Sequence, residues 1–183
     1  LTTFPAANLN RDETGRPKTL QFGGTQRLRI SSQSLKRAWR TSSVFADRLP
    51  GHLASRTQRI GANVRARLLK RGIKEKEALA IAQVIASHFG KVENTKGEVK
   101  KEESKKDPSY TNQLVFISPE EFARAYALAD RAIEGEVISP TPADLLLKTD
   151  TAADLAMFGR MLTQKDSASF NREAAVQVAH AFT

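Results

Sequence analysis

The stretch Arg29-Ile30-Ser31-Ser32-Gln33-Ser34-Leu35-Lys36-Arg37-Ala38-Trp39-Arg40 changes its period partway along. Up to Ile30, Leu28 and Ile30 alternate with Arg27 and Arg29, the pattern of a half-buried strand with a basic outer face. From Ser31 onward the period is helical. Leu35, Ala38, Trp39, Ser42, Phe45 and Leu49 recur at three and four residues, which predicts one amphipathic helix over about 32–48, stopped by Pro50-Gly51. Trp39 falls on the apolar face and is expected in the core. The unit is therefore a strand, a turn rich in hydroxyls and amides, and a helix N-terminus. Such a terminus leaves backbone N–H groups unpaired and carries a partial positive charge, and Ser31, Ser32, Gln33 and Ser34 add neutral donors beside it. Lys36, Arg37 and Arg40 are helical neighbours on the face opposite Leu35 and Trp39, so they form one patch. Cations near a helix N-terminus oppose the macrodipole, and like charges on one face repel, so an anion on the patch would relieve both. An ordinary capped helix with a solvated basic face is the plainer alternative.

The charge of the whole chain points the same way. It has 183 residues, 29 Lys+Arg against 20 Asp+Glu, and a net charge of +9. Residues 1–77 hold 17 basic and 5 acidic residues, a net +12, whereas residues 78–183 hold 12 and 15, a net −3. Between Thr14 and Lys74 there are 15 basic residues and Asp47 is the sole acid. A segment of one sign is the footprint of a polyanion ligand, because Lys and Arg displace condensed counterions from phosphates. The absence of cysteine excludes disulfides, thiolate nucleophiles and thiolate metal sites, and makes the cytoplasm the expected compartment. No apolar run approaches the ~18–20 residues of a membrane-spanning helix, and the stretch 1–13 lacks the basic region and apolar core expected of a signal sequence. A start at Leu1 and a stop at Thr183 just after an apolar run are expected of a fragment.

Downstream, a second helix is predicted over about 53–71, with Leu53, Ile60, Val64 and Leu68 inward and Gly72 as its terminator, and a third over about 74–89. Residues 91–109 carry 11 charges of mixed sign in 19 positions and are expected to form an exposed loop. Gln113-Leu114-Val115-Phe116-Ile117 reads as a buried strand. Ser118-Pro119-Glu120-Glu121 is a capping box with proline at the first helical position, and the helix it opens ends at Gly135. The runs 154–162 and 174–182 both read as strands.

Phe22-Gly23-Gly24-Thr25-Gln26-Arg27-Leu28-Arg29-Ile30-Ser31-Ser32-Gln33-Ser34-Leu35-Lys36-Arg37-Ala38-Trp39-Arg40, preceded by Leu9-Asn10-Arg11-Asp12, resembles the N-terminal signature of the CasC family. That family supplies the Cas-seven-type backbone subunit of the type I-E CRISPR complex called Cascade. Asp154-Leu155-Ala156-Met157-Phe158-Gly159-Arg160-Met161 and Val176-Gln177-Val178-Ala179-His180-Ala181-Phe182-Thr183 resemble two further segments of the family, in the same order. The resemblance implies an α+β fold: a modified RRM-like (ferredoxin-like) palm, incomplete here, with a helical finger insertion. Residues 1–49 would be the first part of the palm, 50–150 the finger with its charged loop 91–109, and 151–183 returning palm strands. It also implies an RNA-binding subunit that polymerises along CRISPR RNA and presents it to target DNA. Further copies of itself and CasA, CasB, CasD and CasE would be its partners, with no membrane, cofactor or metal involved. By the same resemblance, Arg11, Lys18, Ser31, Gln33, Lys36, Arg37 and Arg40 match positions that hold the RNA backbone. Met161 matches an apolar residue that packs against bases near a flipped nucleotide.

Contacts of this kind position a strand without reading its sequence. The strands offer no set of exposed aromatic rings on which bases would stack, which fits a subunit that leaves its guide readable. His52, His88 and His180 share no ligand spacing, and His180 is expected to be a hydrogen-bonded structural residue. Met157 and Met161 are both expected to be buried. Asp12-Glu13 and Glu120-Glu121 do not make an acid–base pair. Two other function classes compete with the leading one: a metal-dependent ribonuclease of a related CRISPR backbone family, and a generic basic RNA chaperone. Lys100, Lys101, Lys105 and Lys106 of the charged loop are candidates to brush target DNA.

Overall fold

The computed structural model describes residues 8–92, 107–149 and 151–183, so the charged loop with Lys100, Lys101, Lys105 and Lys106 lies largely outside the described residues, as does residue 150. The chain divides into two compact units, residues 1–50 with 176–183, and residues 51–175.

In the first unit, strands β1 (Thr19–Phe22) and β2 (Thr25–Ile30) form an antiparallel hairpin in which Phe22 faces Thr25 and Thr19 faces Leu28. Its two-residue loop is Gly23-Gly24, with φ of 63° and 74°, both in the left-handed region that a tight hairpin turn of this hand requires. The predicted alternation in β2 does not hold, since Leu28 is 45% exposed while Arg27 is partly covered. The cause is local. The Arg27 guanidinium donates to the Phe22 carbonyl at 3.2 Å and to the Thr183 oxygen at 2.6 Å, which lays it along the sheet. The single helix predicted over 32–48 is two, α1 (Ser32–Arg40) and α2 (Ser43–Arg48). Ser42 breaks them apart: its hydroxyl donates to the Trp39 carbonyl at 2.8 Å and accepts from the Phe45 N–H at 3.3 Å, so it caps the second helix. Neither helix buries a residue, and Trp39, expected in the core, is 40% exposed.

The second unit begins with strand β3 (Ser55–Thr57) where the start of a helix was predicted. The helix α3 proper runs Ile60–Lys70, after the Thr57 hydroxyl accepts from the Arg59 N–H at 2.9 Å. Helix α4 (Glu75–Ser87) packs against α3, and strand β4 (Val115–Ile117) pairs antiparallel with β3, with Ser55 opposite Ile117. Helix α5 (Pro119–Ile133) opens with the predicted capping box in full. The Ser118 hydroxyl accepts from the Glu121 N–H at 3.2 Å, and the Glu121 carboxylate accepts from the Ser118 N–H at 3.0 Å. Ile60, Val64 and Leu68 of α3, Ala82 and Ile85 of α4, and Ala125 and Ala129 of α5 are fully buried. Together they form one apolar core.

After the short helix α6 (Pro142–Leu145), the predicted strand at 154–162 is instead helix α7 (Ala153–Phe158), followed by a 3-10 turn at Lys165–Phe170. Asp154 holds α7 in place by accepting the Ala54 N–H at 2.8 Å, and Gly159, at φ 78°, ends it. The predicted strand at 174–182 shrinks to β5 (Ala181–Phe182), which belongs to the first unit and pairs with β2 through Arg29 opposite Phe182 and Ile30 opposite Ala181. The first-unit sheet thus has the order β1-β2-β5. The architecture is a mixed α/β one with small antiparallel sheets.

Candidate nucleic-acid interface

Seven of the eight residues singled out by the sequence lie in the first unit, in the loop before β1, at the turn between β2 and α1, and along α1. The turn is assembled from three stretches of chain. From the loop before β1, Asn10 accepts the Ser31 N–H on its Oδ1 at 2.9 Å, while its own carbonyl accepts the Lys18 N–H at 2.7 Å. Lys18 in turn accepts the Arg29 N–H on its carbonyl at 2.9 Å, which lays this loop along β2. The loop is stiffened by Asp12, whose Oδ1 accepts the Thr14 hydroxyl at 2.8 Å and the N–H groups of Thr14 and Arg16, each at 2.9 Å. Those bonds, the Thr14 hydroxyl first, hold the Asp12 carboxyl below the usual carboxylate range. Arg11 reaches the Gly15 carbonyl at 3.3 Å with one guanidinium nitrogen and is otherwise exposed.

Ser31 is buried, at 5% exposure, and caps α1 by accepting the Ser34 N–H at 3.3 Å. From the end of the chain, the ring nitrogen Nδ1 of His180 accepts the Ser32 N–H at 3.0 Å. The structural role expected of His180 is therefore specific: it occupies the first free donor of α1. With Ser32 and Ser34 engaged, the helix terminus does not offer the open row of amides that the sequence suggested, and Gln33 is the exposed residue between them.

Gln33 and Arg37 are exposed and Lys36 and Arg40 half-buried along α1. Because α1 ends at Arg40 instead of running on to 48, Arg37 and Arg40 stand in its last turn, where the macrodipole favours cations. The expected conflict between cluster and dipole is thereby relieved for Arg37 and Arg40. Met161 is in the second unit and is 82% exposed, so its expected burial is overturned; Met157, four residues earlier in α7, is half-buried.

The basic half of the sequence is divided between the units. The first unit carries nine basic and three acidic residues, a net +6, and the second carries 20 and 17, a net +3. In the second unit several arginines are neutralised. Arg67 forms a two-pronged pair with Asp130 at 2.7 and 2.6 Å, and Arg65 pairs with Glu75 and, at 3.0 Å, with Asp107. Among the described residues no three acidic, His or Cys side chains converge to hold a metal ion, and no helix is long and apolar enough to cross a membrane.

Asn10 is the residue that sequence reasoning passed over. It stands inside the quoted Leu9-Asn10-Arg11-Asp12 run, but nothing in a single sequence links it to Ser31.

Comparison with known proteins finds relatives of the chain as a whole. A chain of a CRISPR RNA-guided surveillance complex is 34% identical, superposes with a TM-score of 0.70, and is matched over 98% of this chain and 55% of its own length. A chain of a CRISPR RNA-guided surveillance complex in a pre-nicking state is also 34% identical, with a TM-score of 0.70, matched over 96% of this chain and 48% of its own. The present chain therefore spans about half the length of the solved structures it matches. A search of curated protein sequences finds no match. The sequence pattern of the family described as CT1975-like protein (Cas_CT1975) matches residues 1–183, the entire chain, and the protein belongs to that family.

Proposed function

We propose that this chain is part of a non-catalytic, CRISPR RNA-binding backbone subunit of a type I-E Cascade complex, which lines up in copies along the guide RNA and presents it for pairing with target DNA. The observation that carries the reading is its likeness, over nearly its whole length, to chains of CRISPR RNA-guided surveillance complexes. The net +6 of the first unit and the exposed Gln33 and Arg37 beside Lys36 and Arg40 on one short helix support it physically. On this reading Arg11, Lys18, Ser31, Gln33, Lys36, Arg37 and Arg40 hold the RNA backbone and Met161 packs against a base. Residues 1–49 and 151–183 then contribute to an RRM-like palm and residues 50–150 to a helical finger. CasA, CasB, CasD and CasE are the accompanying subunits, and the cytoplasm is the compartment.

The purified chain should carry RNA, seen as a raised absorbance at 260 nm that ribonuclease removes. Reversing Lys36, Arg37 and Arg40 together to glutamate should abolish it. RNA retained by the triple variant would refute the site. Cleavage of complementary RNA by the assembled complex in Mg²⁺ would overturn the non-catalytic assignment in favour of a ribonuclease.

A further inference from the structure

Two side chains hold the turn between β2 and α1, and neither belongs to the basic cluster. Asn10 Oδ1 takes the N–H of Ser31 at 2.9 Å and His180 Nδ1 takes the N–H of Ser32 at 3.0 Å. They act on adjacent residues yet come from chain segments 21 and 148 positions away. We propose that Asn10 and His180 are positioning residues for RNA binding: they fix the backbone of Ser31-Ser32 so that Gln33 and the cations of α1 face the phosphate chain. The inference rests on the RNA-binding reading given above.

The fold delivers His180 to this place by register. Ile30 pairs with Ala181 across the β2–β5 ladder, so the next residue along each strand, Ser31 and His180, stand side by side where β2 ends and α1 begins. An imidazole that accepts on Nδ1 carries its proton on Nε2, so one tautomer is selected. The helix is thus closed at its first donor by a neutral side chain and at its third by the Ser31 hydroxyl, and the intervening Gln33 is turned outward. Gln33, whose Oε1 accepts from the Ser32 hydroxyl at 3.4 Å, and Arg37 are the exposed side chains that an anion would meet on this helix. If the imidazole is lost, the Ser32 N–H must find water, and the turn is free to rotate Gln33 away from the direction set by the cap.

The role is distinguishable from a direct phosphate contact and from general support. The full chain is measured for binding to a single-stranded RNA over a range of salt, alongside thermal melts. His180→Ala and Asn10→Ala should each weaken RNA binding roughly fivefold to tenfold, the loss of about one hydrogen bond's ordering. The slope of log K against log salt should stay unchanged, because every phosphate keeps its cation. His180→Asn, which sets an amide oxygen near the place of Nδ1, should restore affinity; His180→Gln, whose oxygen stands at the place of Nε2, should not. A folded His180→Ala protein that binds RNA as the wild type does overturns the proposal. A flattened salt slope also overturns it, by making His180 a direct contact. If His180→Ala fails to fold, the contrast between the Asn and Gln variants decides, and equal affinity for those two overturns it. A wild-type chain that does not bind RNA at any salt defeats the RNA-binding reading itself, and the proposal with it.

Discussion

Arg160 and Glu121 meet at 2.6 Å inside the second unit, with side chains that are 3% and 1% exposed. Glu121 also accepts the N–H groups of Ser118 at 3.0 Å and Leu147 at 3.2 Å, and Arg160 donates to the carbonyls of Phe116 at 3.2 Å and Phe170 at 3.4 Å. One buried ion pair thus joins β4, the start of α5, the segment after α6 and the 3-10 turn. Glu121→Ala would leave a buried guanidinium uncompensated and two amides unpaired, at a cost of about 3–5 kcal/mol. Urea denaturation at neutral pH measures it. A loss below about 1 kcal/mol would show that water enters and solvates Arg160.

Gly61 faces the Ser109 backbone from α3, and a Cβ placed there would overlap the Ser109 carbonyl oxygen. Backbone cannot swing aside as a flexible side chain can, so Gly61→Ala should destabilise by about 1–3 kcal/mol despite alanine's better helix propensity. Ala66→Gly, at an exposed position of the same helix, costs about 1 kcal/mol through propensity alone. Comparing the melting-temperature shifts of the two variants separates the steric effect from propensity.

Stability should fall in two steps as the solution is acidified. Burial holds the His88 imidazole below its ordinary value, so the folded protein resists a proton that the unfolded chain accepts; stability declines as pH drops below about 6.5. Asp130, through its bond from Arg67, and Asp107 are held low. For Asp107, burial pushes upward, but bonds from Ser109 and the charge of Arg65 outweigh it. Their contribution is present above about pH 4 and is lost as pH falls through their folded values. His88→Gln should flatten the curve between pH 7 and 5 while leaving the lower step intact.

Two sets of cations should behave oppositely in RNA binding. Lys36→Ala or Arg37→Ala should flatten the salt dependence by about 0.7 for each phosphate left without its cation. Arg65→Ala and Arg67→Ala, which break pairs with Glu75, Asp107 and Asp130, should leave that slope unchanged and cost at most about 1 kcal/mol of stability each. Equal slopes for all four variants would place the phosphate path elsewhere.

Features written in short sequence range are legible without the fold. The Ser118-Pro119-Glu120-Glu121 box, the terminators Gly72 and Gly135, and the basic turn-helix of 31–40 depend on residues within a few positions of each other. The period of α1 runs on unbroken through Ser42, so amphipathicity conceals a break made by one hydroxyl. Asp154-Leu155-Ala156-Met157-Phe158 is too short for its period to separate strand from helix, and the deciding contact, with the amide of Ala54, lies 100 residues away. The partnership of Arg160 with Glu121 and that of His180 with Ser32 are likewise invisible, because neither residue type nor spacing announces a bond closed across 39 or 148 positions. Met161 defeats the expectation of burial because hydrophobicity alone does not say which side of a turn is covered.

The first unit is written in two pieces, with the second lying between them as one continuous run. During synthesis, residues 51–175 can complete their core while the sheet of the first unit still lacks its third strand. A nascent chain therefore displays the basic helix long before β5 and His180 exist to set its turn. The Ser32 amide gains its imidazole partner, and β2 its second neighbouring strand, only once translation has passed residue 182, so the turn is set last although it is made early.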